Sequence, residues 1–171
     1  MKIRTGGPED AADIIALLDS AIAWLTSLGR TGQWGERPWS VRPAAVQRIH
    51  EYTRDHLVRI AEDAGGRTIG ACVLSETPAG YATPVDEREL YVRNLVTERA
   101  RSGSGIGAAL IADALSEARR RGIRLLRVDC YAGGDRRLVG QYRALGFTET
   151  DAFEVEQPGG PWPGQILEIR L

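Results

Sequence analysis

Three glycines alternate within five residues, Gly103-Ser104-Gly105-Ile106-Gly107, and what lies on either side of them restricts the folds open to this chain. Before them, a strand-like run extends from about Arg88 to Thr97; after them, Ala108 to Arg121 places Leu110, Ile111, Ala114, Leu115 and Ala118 at helical spacing. A strand, a tight glycine turn and a helix form an anion site: unpaired amides at the helix start point outward, and glycine lets a phosphate approach them. The turn is not the dinucleotide fingerprint. That motif would put its third glycine at position 108, where Ala108 stands, and would follow the first strand of the chain instead of a later one. A Walker-type loop needs Gly-Lys before Ser or Thr, and the only lysine is Lys2. Packing alone would account for one glycine better than for three in alternation.

The remaining periodicities describe a mixed α/β chain. Its 171 residues, 43% hydrophobic and 26% charged, predict one folded domain over 1–171, without repeat or linker. Lys2–Thr5 reads as a strand, and Pro8-Glu9-Asp10 opens a helix whose apolar positions run from Ile14 to Leu28 and stop at Gly29. Gly29 to Pro43 is loop-like and carries Trp34 and Trp39. A helix is expected over Ala44–Asp55, then a hairpin of Leu57–Glu62 and Thr68–Glu76 around Ala64-Gly65-Gly66. Beyond the glycine turn come a strand over Ile123–Tyr131 and a helix over Asp135–Leu145 closed by Gly146. Terminal strands follow over Phe147–Val155 and Gln165–Leu171, with a loop over Pro158–Gly164.

Composition removes several functions. Twenty-two basic residues against twenty-three acidic give a net charge of -1, which argues against a general nucleic-acid binder. Arg119-Arg120-Arg121 ends a helix, where basic side chains complement the helix dipole. Cys72 and Cys130 suggest two buried thiols, and no cysteine or histidine spacing suggests a metal site. No apolar run is long enough to span a bilayer and the first ten residues lack a signal-peptide pattern, so a cytoplasmic location is expected.

Two blocks resemble the GNAT superfamily of N-acetyltransferases. Tyr91-Val92-Arg93-Asn94-Leu95-Val96 followed by Gly103-Ser104-Gly105-Ile106-Gly107-Ala108 is similar to that family's strand and pyrophosphate loop. Tyr142-Arg143-Ala144-Leu145-Gly146-Phe147 is similar to its Tyr-x-x-x-Gly-Phe, at the family's distance after the preceding strand. The resemblance implies a mostly antiparallel central sheet of six to seven strands flanked by about four helices. It also implies acetyl-CoA as co-substrate and direct attack of an amine on the thioester. Cofactor contacts then fall to Leu95 and Val96, to Arg101, Ser102, Gly103, Ser104, Gly105, Ile106, Gly107 and Ala108, and to Asp135 and Tyr142. Two positions depart from the family pattern. Ser102 stands where Arg or Gln is usual, with Arg101 one residue earlier, and Asp135 replaces an asparagine.

Within that frame Tyr142 is the expected general acid. A phenol with a pKa of about 10 protonates a thiolate near 8.5 only when placement helps it. His50 and His56 lie in or beside a helix away from the turn, so the expected base is a carboxylate. Glu89 ranks first, since it shares a strand face with Tyr91 and Arg93, and Asp129 ranks second. Trp24 and Trp34 are the expected acceptor contacts; Trp39 and Trp162 are further aromatics of the same kind. The expected acceptor is a small primary amine, and homodimers are common among such enzymes. The rival function is a non-catalytic acyl-CoA-binding sensor.

Overall fold

Alternation, helix entry signals and glycine stops give the chain seven strands and four helices, and a computed structural model describes all 171 residues. In order they are β1 (Lys2–Gly6), α1 (Ala11–Ser27), α2 (Pro43–Asp55), β2 (Leu57–Glu62), β3 (Thr68–Ser75), β4 (Leu90–Thr97), α3 (Ile106–Arg120), β5 (Leu125–Tyr131), α4 (Arg137–Ala144), β6 (Thr148–Gln157) and β7 (Gly160–Arg170). The sheet order is β1-β2-β3-β4-β5-β7-β6. β4 and β5 run parallel over Leu90↔Leu126 to Val92↔Val128, whereas β1/β2, β2/β3, β5/β7 and β6/β7 are antiparallel. The strand and helix numbers and the mostly antiparallel sheet agree with expectation.

Two compact units make up the chain, Met1–Leu74 with Asn94–Asp113, and Ser75–Arg93 with Ala114–Leu171. In the first, α1 buries Ile14, Leu17, Leu18, Ala21 and Ile22, the three- and four-residue spacing of one helix face. They pack with Ile49, Val58, Ile60, Val73 and Val96, each such side chain contributing about 1.5–3 kcal/mol on burial. Entry to α1 is fixed by Asp10, whose carboxylate accepts from the Gly7 amide at 2.9 Å and from the Arg4 guanidinium at 2.7 and 3.1 Å. Gly70 of β3 allows α3 to approach: a Cβ there would lie 2.8 Å from Ile106 Cγ2 and 3.1 Å from Leu110 Cδ1. The segment over 29–43 contains one short 3-10 turn, Trp39–Val41, that buries Trp39.

In the second unit, β5 pairs with β7 from Leu125↔Arg170 to Tyr131↔Gly164, and β6 closes a long hairpin on β7. This corrects the expected loop over 158–164. Pro161 and Pro163 belong to β7, opposite Glu156 and Glu154, ahead of the point where β7 meets β5. Proline lacks an N–H, and it is tolerated where a strand is paired on one side only. Helix α4 also starts later than the expected Asp135. Arg136 adopts the left-handed region at φ 55°, and the Asp135 carboxylate accepts from the Arg137 amide at 3.0 Å.

Candidate functional site

The glycine turn carries the geometry its sequence suggests. Gly103 and Gly105 hold φ of 82° and 83°, the left-handed region that glycine enters freely. Gly107 lies within α3, and a Cβ on it would meet only Thr97 Cγ2, at 4.0 Å. Glycine at 107 is therefore required neither by backbone strain nor by packing within the protein, and it leaves open space at the helix start. The first backbone bond into α3 runs from the Ala109 amide to the Gly105 carbonyl at 2.9 Å. The amides of Ile106, Gly107 and Ala108 precede it and have no acceptor within the helix.

Side chains around this turn are committed elsewhere. Arg101 donates to Asp63 at 3.1 Å and to Glu98 at 2.9 Å, and Arg67 also pairs with Glu98. Four charges thus pin the turn and occupy the guanidinium of Arg101. Ser102 and Ser104 are exposed; the Ser104 hydroxyl donates to the Arg101 carbonyl at 2.6 Å. Leu95 is half-buried and Val96 buried at the end of β4, and Asn94 beside them has a buried Oδ1 without a hydrogen-bond partner. The turn fits an anionic group through its backbone and its missing Cβ atoms.

The second unit holds the predicted acids and bases. Glu89 is 4% exposed and meets Arg127, itself 2% exposed, with both carboxylate oxygens within 3.2 Å of Nη1. Arg127 also donates to the Thr83 carbonyl at 2.8 Å and stacks over Tyr91 at 5.8 Å. Burial raises the Glu89 carboxyl above its ordinary value, and Arg127 opposes that rise. Asp129 has a different setting. The Tyr91 hydroxyl donates to it at 2.6 Å and that of Tyr81 at 3.0 Å. Burial raises its pKa, and these two phenols and the nearby charge of Arg93 pull it back down. Aromatic rings continue from there. Tyr81 stacks on Phe153 at 4.8 Å, Phe153 meets Trp162 at 6.2 Å, and Trp162 meets Tyr131 at 5.5 Å. Phe153 reaches this position only because residue 164 is glycine: a Cβ there would fall 2.2 Å from the ring.

Tyr142 lies on α4, buried, with its ring edge-to-face to Phe147 at 5.6 Å. Gly146, at φ 99°, ends the helix and lets the Phe147 amide return to the Tyr142 carbonyl at 3.2 Å. Trp24 and Trp34 both belong to the first unit. Trp34 packs on its core, edge-to-face with Trp39 at 6.4 Å, whereas Trp24 is 36% exposed beneath the Arg99 guanidinium. Arg120 and Arg121 pair with the buried carboxylate of Glu117, and Arg121 with Glu76 as well, so two of the three consecutive arginines are neutralised. Cys72 and Cys130 are buried and their thiols are pushed up to about 12, which keeps them protonated. No group of three or more His, Cys, Asp or Glu side chains is arranged to hold a metal ion, and no helix is long and apolar enough to cross a membrane.

The mixed sheet with a glycine turn between β4 and α3 is the arrangement that the sequence resemblance implies. The sequence model of the acetyltransferase (GNAT) family matches residues 18–147, so the chain belongs to that family. No curated protein matches it in sequence. Among solved structures it is similar to a ribosomal-protein-alanine N-acetyltransferase from Brucella melitensis, with 20% identity, TM-score 0.69 and full coverage of both chains. A GNAT-family acetyltransferase from Listeria monocytogenes 4b F2365 is 23% identical with TM-score 0.70, covering 99% of this chain and 94% of that one. The structure of yncA from Salmonella typhimurium with its cofactor acetyl-CoA is 20% identical with TM-score 0.65, covering 100% of this chain and 94% of that one.

Proposed function

We propose that residues 1–171 act as one acetyl-CoA-dependent N-acetyltransferase domain whose acceptor is the primary amine of a small molecule. The observation that carries this is the turn at 103–107. Two of its glycines supply left-handed backbone, and the third leaves open space beside helix amides that have no acceptor in the helix. Family membership supports acetyl transfer, and the match takes in parts of both compact units. The near-neutral charge favours a small acceptor over a strongly charged macromolecule.

In this role the amides of Gly105, Ile106, Gly107 and Ala108 hold the pyrophosphate. Backbone groups at Leu95 and Val96 pair with the pantetheine arm as a further strand would, and one of their amides faces the developing oxyanion. Arg101 and Ser102 act through the backbone of the turn, since Arg101 is bound to Asp63 and Glu98. Asp135 shapes the start of α4. Acetyl-CoA supplies the thioester, whose C–S bond breaks as the N–C bond forms.

Two proton transfers remain for the protein. The amine must lose a proton, and the geometry favours Asp129 over Glu89 as its acceptor. Glu89 is enclosed in an ion pair with Arg127, whereas Asp129 is held ionised by two phenols while burial raises its basicity. Glu89 instead fixes Arg127, and through it the carbonyl of Thr83. Tyr142 returns a proton to the departing thiolate. Trp24 and Trp34 contribute aromatic surface for the acceptor.

Thiol release measured across a panel of amines, with acetyl-CoA binding followed in parallel, tests this proposal. Turnover on one amine class, lowered in Asp129→Asn by about 100-fold or more, is expected. Acetyl-CoA binding without turnover on any amine would favour the sensor, and full activity in Asp129→Asn would remove the carboxylate from the mechanism.

A further inference from the structure

Arg99 follows β4 directly, and its surroundings differ from those of the other arginines near the turn. Arg67 and Arg101 are clamped to Glu98 and Asp63, but Arg99 has no ion-pair partner. Its Nε is buried without a hydrogen bond, and its one side-chain contact to oxygen is a long 3.4 Å donation from Nη2 to Thr97 Oγ1. The guanidinium lies over the Trp24 ring at 4.9 Å. Burial alone shifts its pKa, downward, with no carboxylate to oppose the shift.

A half-buried cation without a counter-charge is costly, and proteins seldom keep one unless something pairs with it. Stacking on Trp24 holds the plane of the guanidinium but leaves its buried Nε unanswered. Two more orphaned polar atoms lie on neighbouring elements: Thr26 Oγ1 on α1 and Trp39 Nε1 on the 3-10 turn at Trp39–Val41. Helix α1 packs against both that turn and the one holding Arg99. The guanidinium of Arg99 itself only donates hydrogen bonds, which fits an anion.

We propose that Arg99, seated on Trp24, is a binding residue for an oxyanion group of a ligand, a carboxylate or a phosphate. A planar guanidinium with free donors recognises either group bidentately. The source of the oxyanion, a phosphate of the acyl donor or a carboxylate of the acceptor, rests on the acetyltransferase proposal; the site itself does not.

The test compares the full-length wild type with Arg99→Met, which keeps the stem over Trp24 and removes the charge. Binding is measured for inorganic phosphate, succinate and acetyl-CoA, and KM for amino acids and for their methyl esters. A loss of roughly 10- to 100-fold in the variant is expected for at least one oxyanion probe. Loss on acetyl-CoA assigns the phosphate, and a KM rise for amino acids but not for esters assigns the carboxylate. Melting temperature should hold or rise, because an uncompensated charge is removed. If Arg99→Met does not fold, Arg99→Gln, which also removes the charge, carries the same comparison. A wild type that binds neither phosphate nor succinate nor acetyl-CoA overturns the site, as does a variant that binds every probe as the wild type does. Because phosphate and succinate are titrated directly, failure of the site and absence of acetyl transfer are read separately.

Discussion

Gly107→Ala should move stability and cofactor binding in opposite directions. Position 107 is helical, with no left-handed φ, and an added Cβ would meet only Thr97 Cγ2 at 4.0 Å. Replacing glycine in a helix by alanine stabilises by about 0.5–1 kcal/mol, largely by restricting the unfolded chain. For a chain of this size that corresponds to a rise in melting temperature of about 1–4 °C. The same methyl group occupies the space that a pyrophosphate would use against the amides of Ile106 and Ala108. Losing one charge-assisted hydrogen bond costs about 1.5–3 kcal/mol, or roughly a 10- to 150-fold weaker Kd for acetyl-CoA. Gly105→Ala is the control: its φ of 83° makes alanine strained by about 1–2 kcal/mol, so stability and binding should both fall. Calorimetric titration with acetyl-CoA and thermal melts of the three proteins supply both readouts. A Gly107→Ala protein that melts normally and binds acetyl-CoA as tightly as wild type would refute the assignment of the turn.

Tyr142→Phe should lower kcat and leave acetyl-CoA affinity nearly unchanged; equal kcat would remove the tyrosine as proton donor. Glu89→Gln leaves Arg127 buried beside a neutral amide, so denaturant unfolding should show a loss of about 3–5 kcal/mol, and a loss below 1 kcal/mol would contradict the buried-pair description. In the pH profile of kcat/KM, activity should fall on the acid side through a pKa above the ordinary aspartate value, because burial raises Asp129; Asp129→Asn should lose that limb. Asp10 has the opposite sign. Arg4 and the Gly7 amide hold its carboxyl below 3.8, so its stabilisation is present above that pH and is lost as pH falls toward its folded value. Asp10→Asn should therefore cost about 1.5–3 kcal/mol near neutrality and progressively less in acid, as read by urea midpoints across pH.

Much of the fold was legible because its signals are local. The α1 stripe, the Gly29 and Gly146 stops and the glycine turn each depend on neighbours a few residues away, and each appears in the structure. Contacts distant in sequence were not legible. Gly70 reads as an ordinary strand glycine until Ile106 and Leu110 are seen against it. Pro161 and Pro163 read as loop residues because their acceptable place, on a strand still unpaired on one side, is set by where β7 meets β5. Sequence position alone ranks Glu89 above Asp129 as the base and says nothing of what each carboxylate meets. Their different partners, an arginine and two tyrosines, come from residues 38 and 48 positions away. Arg101 likewise seemed free to reach a phosphate until Asp63 and Glu98 closed on it.

The central claim is that the turn at 103–107 holds the pyrophosphate of acetyl-CoA, and a calorimetric titration of the full-length protein with acetyl-CoA tests it most directly. Saturable binding at micromolar concentration, one molecule per chain, is the predicted result. Absence of binding at millimolar acetyl-CoA by a folded protein would contradict it.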